Sequence, residues 1–252
     1  SLLACYFFTK IAFFNHSAKY RLKNLLDVKD LGLVDYQAGW DIQTDLHQRL
    51  IQEKRNNSGI SVSPHSLILC EHPHVFTLGK SGYDSHLKVD DSELERIQAS
   101  FYRINRGGDI TYHGPGQLVA YPILDLERIF TDVHRYVRSL EEVVIQVLLE
   151  YNIKAGREEK YTGVWVDPES PQARKICAIG VHLSRWVSLH GLAFNINTDL
   201  NYFSHIIPCG IQDPQKSVTS LSNELGMSVS LDEVKQKFVK KFLEVLDLEV
   251  CS

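Results

Sequence analysis

The sequence predicts one α/β (α+β) domain, a mixed β-sheet with helices packed on it, and three observations carry that prediction. Short apolar, β-branched runs are interleaved with amphipathic helical stretches along the chain. No linker-like composition shift, repeat or low-complexity segment divides them. The 252 residues are enough to bury a sizeable core.

Composition narrows the function classes. A formal charge of −4 gives no broad cationic field, so nucleic acid is not an expected partner. No apolar run approaches the roughly 20 residues needed to cross a bilayer, so no membrane span is expected. Cys5, Cys70, Cys177, Cys209 and Cys251 are odd in number, scattered and without a CxxC pair. Neither a disulfide framework nor a zinc ribbon is predicted, and a reducing compartment fits this usage.

Taken in order, residues 1–26 are an N-terminal extension with Lys10, Lys19, Arg21 and Lys23 but no acid before Asp27. That pattern is compatible with an organelle transit peptide or an amphipathic extension, and residues 27–252 are assigned to the folded domain. Leu31 to Val34 predicts the first strand. From Asp35 to about Arg55, Ile42, Leu46 and Leu50 recur at helical spacing. Ser66 to Cys70 and Val75 to Leu78 predict two strands, or one interrupted at Pro73. Leu87 to Gln98 reads as loop with a short helix, and Phe101 to Ile104 and Leu118 to Ile123 as strands. Ser139-Leu-Glu-Glu142 has the form of a capping box, ahead of a stripe of Leu140, Val143, Val144, Val147, Leu148 and Tyr151. Val164 to Val166, Ile176 to Val181 and Leu192 to Ile196 predict strands, with Asp167 to Arg174 a polar loop among them. Ser230-Leu-Asp-Glu233 is a second capping box, before Val234, Phe238, Phe242 and Leu246.

Chemistry concentrates between Arg106 and Tyr121. Gly107, Gly108, Gly114 and Gly116 are interleaved there with Arg106, Asp109, Thr111, Tyr112, His113 and Gln117. Glycine lets backbone approach a ligand closely, and the dissimilar polar groups exceed what a hairpin turn needs. The stretch therefore predicts a ligand-facing loop held between strands. Neither GxxxxGK[ST] nor a strand-borne GxGxxG occurs, so no nucleotide phosphate cradle is indicated. Cys70, His72 and His74 alternate as strand residues do, but Pro73 interrupts them and no fourth ligand is visible; no metal is expected. Cys209, beside Gly210, is more accessible by its sequence setting than Cys177, which sits in an apolar run. Lys175 heads that run, where a lysine is usually solvated, and Arg174 beside it is expected to point to solvent.

Together, Arg106-Gly-Gly-Asp-Ile-Thr-Tyr-His-Gly-Pro-Gly-Gln117, Lys175 to Val181, His190 to Asn195 and Pro208-Cys-Gly210 resemble the lipoyl(octanoyl) transferase family. Glu71-His-Pro73 and Thr77-Leu-Gly79 add to the likeness, which covers about Leu31 to Leu246. The resemblance implies the fold of the biotin protein ligase and lipoate ligase catalytic domains. It implies transfer of an octanoyl group from octanoyl-acyl-carrier protein to a lipoyl-domain lysine, through a cysteine thioester and without a cofactor. By position the nucleophile is Cys209 and its partner Lys175. The implied substrate-binding residues are Arg106, Gly107, Gly108, Asp109, Ile110, Thr111, Tyr112, His113, Ala178, Ile179, Gly180, Gly191, Leu192 and Ala193, with His72 as an additional pocket candidate. Acceptors implied are the lipoyl domains of 2-oxoacid dehydrogenase complexes and the glycine cleavage H protein. A monomeric enzyme of the bacterial cytoplasm is expected, the mitochondrial matrix being the alternative.

Physical chemistry is consistent with those roles. A free thiol with a pKa near ~8.5 is only a few per cent thiolate at neutral pH. An ammonium about 4 Å away contributes up to ~4 kcal/mol at an effective dielectric of ~20, and half of that makes thiolate common. Val164, Trp165, Leu192 and Phe194 are candidates for lining an acyl tunnel, and equally for plain core. Two rivals are an ATP-dependent lipoate or biotin ligase and a non-catalytic acyl-binding module.

Overall fold

Side chains alternate in direction along the buried, largely apolar central strands, and this splits the core into two faces. The computed structural model describes residues 25–207 and 216–251. In chain order these form β1 (Leu25–Leu33), α1 (Tyr36–Asn56), β2 (His65–Glu71), β3 (Val75–Leu78), α2 (Asp91–Arg96), β4 (Ser100–Arg103), β5 (Ile110–His113), β6 (Gln117–Ile123) and α3 (Val133–Leu149). There follow β7 (Ala155–Glu158), β8 (Tyr161–Val166), β9 (Arg174–Ser184), β10 (Val187–Asn195), β11 (Ser217–Val218), α4 (Leu221–Leu225), α5 (Leu231–Leu246) and β12 (Glu249–Val250).

The large sheet is mixed, in the order β12-β1-β2-β6-β10-β9-β8-β7, with β11 alongside β9. A second sheet of three strands runs β4-β3-β5. Leu67 and Leu69 of β2 face one side with Leu118 and Ala120, under Leu140, Val143, Val147, Phe238 and Phe242 of α3 and α5. Ile68 and Cys70 face the other side with Val119 and Tyr121, against Leu46 of α1. One strand thus supplies both cores because successive side chains point oppositely.

Several sequence expectations are corrected. β1 begins at Leu25, six residues before the expected Leu31, and Leu26 is fully buried. Apart from Leu25 and Leu26, the 1–26 extension lies outside the described residues. In α1, Asp35 caps the helix by accepting from the amides of Gln37 and Ala38. Its buried face is Tyr36, Gly39, Gln43, His47, Leu50 and Lys54, while Ile42 is exposed. Apolar spacing could not locate that face because much of it is polar and satisfied by distant partners. Lys54 donates to Asp125 at 2.5 Å, and Gln43 Oε1 accepts from the His190 amide at 3.2 Å.

The Ser139 capping box is not used. α3 starts at Val133, capped by Asp132, and Ser139 lies within it, donating to the Arg135 carbonyl at 2.9 Å. Asp132 competes successfully because it accepts from the Arg135 amide, an earlier orphan donor. The Ser230 cap forms as expected, and Val234, Phe238, Phe242 and Leu246 are all buried. The Val75 and Ser66 runs are two strands belonging to different sheets. The stretch from Arg106 to Tyr121 is not one loop: residues 110–113 form β5, and β6 begins at Gln117.

Candidate active site

β5 is the structural pivot of the site. Its alternation sends Ile110 and Tyr112 into the core of the small sheet, with Phe76, Leu78 and Phe203. Tyr112 stacks on Tyr202 at 4.9 Å and its hydroxyl meets His74 Nδ1 at 2.8 Å. Thr111 and His113 point the other way, into a pocket between the two sheets. Ile110 and Tyr112 therefore brace this wall and do not line the pocket.

The pocket is narrow, about 40 Å³. Ten of the expected residues converge on it: Arg106, Gly108, Thr111, His113, Ala178, Ile179, Gly180, Gly191, Leu192 and Ala193. They come from the 106–108 loop and three strands spread over 88 residues of sequence, and β9 and β10 bring the last six together through the Gly180–Gly191 and Ala178–Ala193 pairings. Gly107 and Asp109 line instead an outer cleft of about 480 Å³, with Lys175, Tyr161 and Thr162. Gly108, Ile179 and Gly180 border both spaces, so cleft and pocket adjoin.

Backbone contacts explain the glycines. The Gly107 amide donates to Val181 O at 3.0 Å, and a Cβ on Gly180 would lie 2.7 Å from Gly107 O. Gly108 has φ +84°, in the left-handed region that favours glycine. The Gly79–Ser81 backbone zips onto this loop through Gly79 N to Asp109 O, Lys80 N to Arg106 O and Ser81 N to Gly108 O.

The inner pocket is polar but uncharged at its histidines. His113 Nδ1 meets Gln117 Oε1 at 2.9 Å, and burial with neighbouring His72 pulls its pKa down to about 3. His190 Nε2 meets Asn105 Oδ1 at 2.7 Å; burial and the Arg106 guanidinium pull it to about 3 as well. Arg106 donates to Thr77 O at 2.6 Å and to Gly107 O at 3.0 Å, which fixes the guanidinium on the small sheet. His72 stands behind the wall: Nε2 meets the Tyr121 hydroxyl at 2.8 Å and Nδ1 meets Val34 O at 2.8 Å. Of the alternating Cys70, His72 and His74, Cys70 Sγ lies 3.6 Å from His72 Nε2, while His74 turns to Tyr112 and Tyr202.

Lys175 is 5 % exposed and its Nζ lies 4.8 Å from the Trp165 ring centre. Among the described residues it has no carboxylate within ion-pair distance. Arg174, expected in solvent, is instead half-buried and held by two 2.6 Å bonds to Glu224, with Asp167 at 2.8 Å. Cys209 lies outside the described residues. Cys70 and Cys177 are buried, and burial pushes both thiols up. Of the tunnel candidates, Leu192 lines the pocket, Trp165 supports Lys175, and Val164 and Phe194 belong to the core.

Sequence reading missed Tyr36, Ile104, Tyr121 and His190 as lining residues. His190 was within reach, lying in the His190–Asn195 motif and adopting φ +62° before Gly191. Tyr36 carries no local signal; it arrives only through the packing of α1.

A narrow pocket behind a cleft that holds a buried lysine, on this two-sheet frame, has the layout of a ligase-fold catalytic domain. The fold matches the archaeal lipoate protein ligase from Thermoplasma acidophilum with a TM-score of 0.64 at 17% identity, covering 90% of this chain and 86% of that one. A lipoate-protein ligase A bound with ATP matches at TM-score 0.63 and 18% identity, covering 91% and 89%. Residues 35–243 match the model of the lipoyl protein ligase A/B catalytic domain. An octanoyltransferase of Flavobacterium psychrophilum is 52% identical over 91% of this chain and 100% of its own. An octanoyltransferase of Cytophaga hutchinsonii is 51% identical over 88% and 93%. The chain belongs to the lipoyl protein ligase A/B catalytic-domain family and is an acyltransferase.

Proposed function

We propose that the chain moves an octanoyl group from acyl-carrier protein to the lysine of a lipoyl domain through a thioester on Cys209. The observation that carries this reading is the convergence of ten motif residues on one narrow pocket, with Lys175 buried in the adjoining cleft. Thioester exchange is near isoenergetic and thioester to amide is downhill, so the route requires no nucleotide.

Each proton has a place in this scheme. With Lys175 as ammonium, Cys209 thiolate attacks the thioester carbonyl, and the carbon–sulfur bond to the carrier breaks. Lys175 passes its proton to the departing carrier thiolate and becomes neutral. A neutral acceptor amine then attacks the acyl-enzyme, gives a proton to Lys175 and expels Cys209 as thiolate, which restores the starting pair. The register favours such a pairing: Val218 is the β11 partner of Lys175, and the Thr219 amide donates to Lys175 O at 2.9 Å, so the chain returns beside Lys175 soon after Cys209 in sequence.

The test is intact-protein mass spectrometry after mixing with octanoyl-acyl-carrier protein. A hydroxylamine-labile octanoyl adduct on Cys209 is expected, and it is lost in Cys209→Ala together with transfer. Full transfer by Cys209→Ala, or transfer that needs ATP and free octanoate, would replace the thioester route with the ligase route.

A further inference from the structure

Lys175 does not occupy its indole alone. Lys216 Nζ lies 5.2 Å from the centre of the same Trp165 ring and 5.6 Å from that of Tyr161. Tyr161 and Trp165 stand 5.9 Å apart and form one aromatic shelf on β8, held by a bond from Trp165 Nε1 to Tyr161 O. Two ammonium groups therefore draw on one quadrupole. They differ in their counter-charge. Lys216 is paired with Glu158 at 2.8 Å, and both side chains are about 15% exposed or less. Lys175 has no such partner among the described residues.

Backbone geometry makes this arrangement a built one. Glu158 on β7 is the cross-strand partner of Tyr161 on β8. Lys216 directly precedes β11, whose Val218 pairs with Lys175. β8 supplies the shelf, β7 supplies Glu158, and Lys216 sits at the start of the β11 pairing with β9.

Among the described residues, most of the other charges around Lys175 are already committed. On α3, Glu141 is bound by Arg138 at 2.7 Å, Arg157 at 3.0 Å and the Gly163 amide at 3.1 Å. On the glycine loop, Asp109 is held by His86 at 2.5 Å. Arg174, one residue before Lys175, is neutralised by Glu224 and Asp167. Lys160 and His134 line the outer part of the cleft, and Cys177 is a buried thiol two residues on. Lys216, paired with Glu158, is the described charge that shares the ring with Lys175.

We propose that Glu158 and Lys216, through the Tyr161–Trp165 shelf, are positioning residues that set the protonation balance of Lys175. Removing the carboxylate leaves a bare second ammonium on the ring and disfavours the charged form of Lys175. Removing Lys216 leaves a carboxylate facing the shelf and favours it. This deepens the proposed function, because it rests on Lys175 cycling its proton there.

The test reads Lys175 itself: the pH titration of its side-chain nitrogen in isotopically labelled protein by NMR, assigned with Lys175→Arg. Glu158→Gln, which keeps the shape of the side chain, is expected to move the midpoint down by about 0.5 pH unit or more; Lys216→Met is expected to move it up by a similar amount. The double variant is expected to return toward wild type, which guards against a single variant that folds poorly. The pH profile of octanoyl transfer follows the same directions. If both single variants leave the Lys175 midpoint unchanged, or both move it the same way, the proposal falls. Absence of an octanoyl adduct in the wild type would sink the thioester route instead, and the NMR result would stand apart from it.

Discussion

Lys54 and Lys175 are two buried lysines with opposite surroundings. They are 4% and 5% exposed, so both ammonium groups bear a similar loss of water. Lys54 is enclosed by Asp125 at 2.5 Å and Glu127 at 2.6 Å, and Asp125 also accepts from the Ser61 amide and hydroxyl. Arg128 joins this cluster through Ser61 Oγ and Ser63 O, tying the end of α1 to the segment after β6. Lys175 rests on an indole face and opens on a cleft. Burial does not separate structure from chemistry here; the completeness of the pairing does. A charge with all its partners stitches the fold, and a charge with a polarisable face and an open side remains available to a reacting group.

The comparison breaks most decisively at Asp125. Asp125→Ala strands a buried ammonium and is expected to cost about 3–5 kcal/mol in urea unfolding. Lys175→Met places an apolar chain of similar length on the indole, so stability is expected to stay within about 1 kcal/mol of wild type while octanoyl transfer is lost. Equal destabilisation by the two variants would erase the distinction between them.

The histidines extend the contrast to pH. His113 and His190 fall to about 3 in the fold, against 6.5 for the free group. Between those values the unfolded chain binds the extra protons, so stability is full above about 6.5 and falls as pH drops toward 3. Each histidine is expected to cost about 2 kcal/mol between pH 7 and pH 5. His113→Asn or His190→Asn should flatten the urea-midpoint profile over that range, and an unchanged slope would show that the pocket histidines charge in the native state.

A smaller cost in stability than at Asp125 is expected at the pocket mouth. Gly180→Ala sets a methyl 2.7 Å from Gly107 O and 3.0 Å from Arg106 Cδ. The loop has to shift, at about 1–2 kcal/mol. Loading from octanoyl-acyl-carrier protein is expected to fall at least tenfold, with iodoacetamide labelling of Cys209 retained. Labelling lost along with loading would mean that this wall also builds the cysteine's surroundings.

Much of the site was legible in the sequence because its constraints are local. Gly107, Gly108 and Gly180 allow close backbone approach, and such positions announce themselves as glycine-rich motifs between apolar runs. The Ser230 cap and the stripe behind it were equally plain, since one turn of helix contains the whole signal. The Ser139 cap misled because Asp132, seven residues earlier than the apparent box would place the cap, offers an equally good acceptor without an apolar stripe to mark it.

The sequence by itself determined the mixed fold class, the family and ten of the residues gathered around the inner pocket, because periodicity and motif spacing are written within a few residues of each site. Only the tertiary structure decided that β5 sends Thr111 and His113 inward and Ile110 and Tyr112 away, that α1 buries a polar face, and that Lys216 shares an indole with Lys175. Those outcomes depend on charge pairing and side-chain direction between elements far apart in the chain, and no local pattern encodes the partner that will be across the gap.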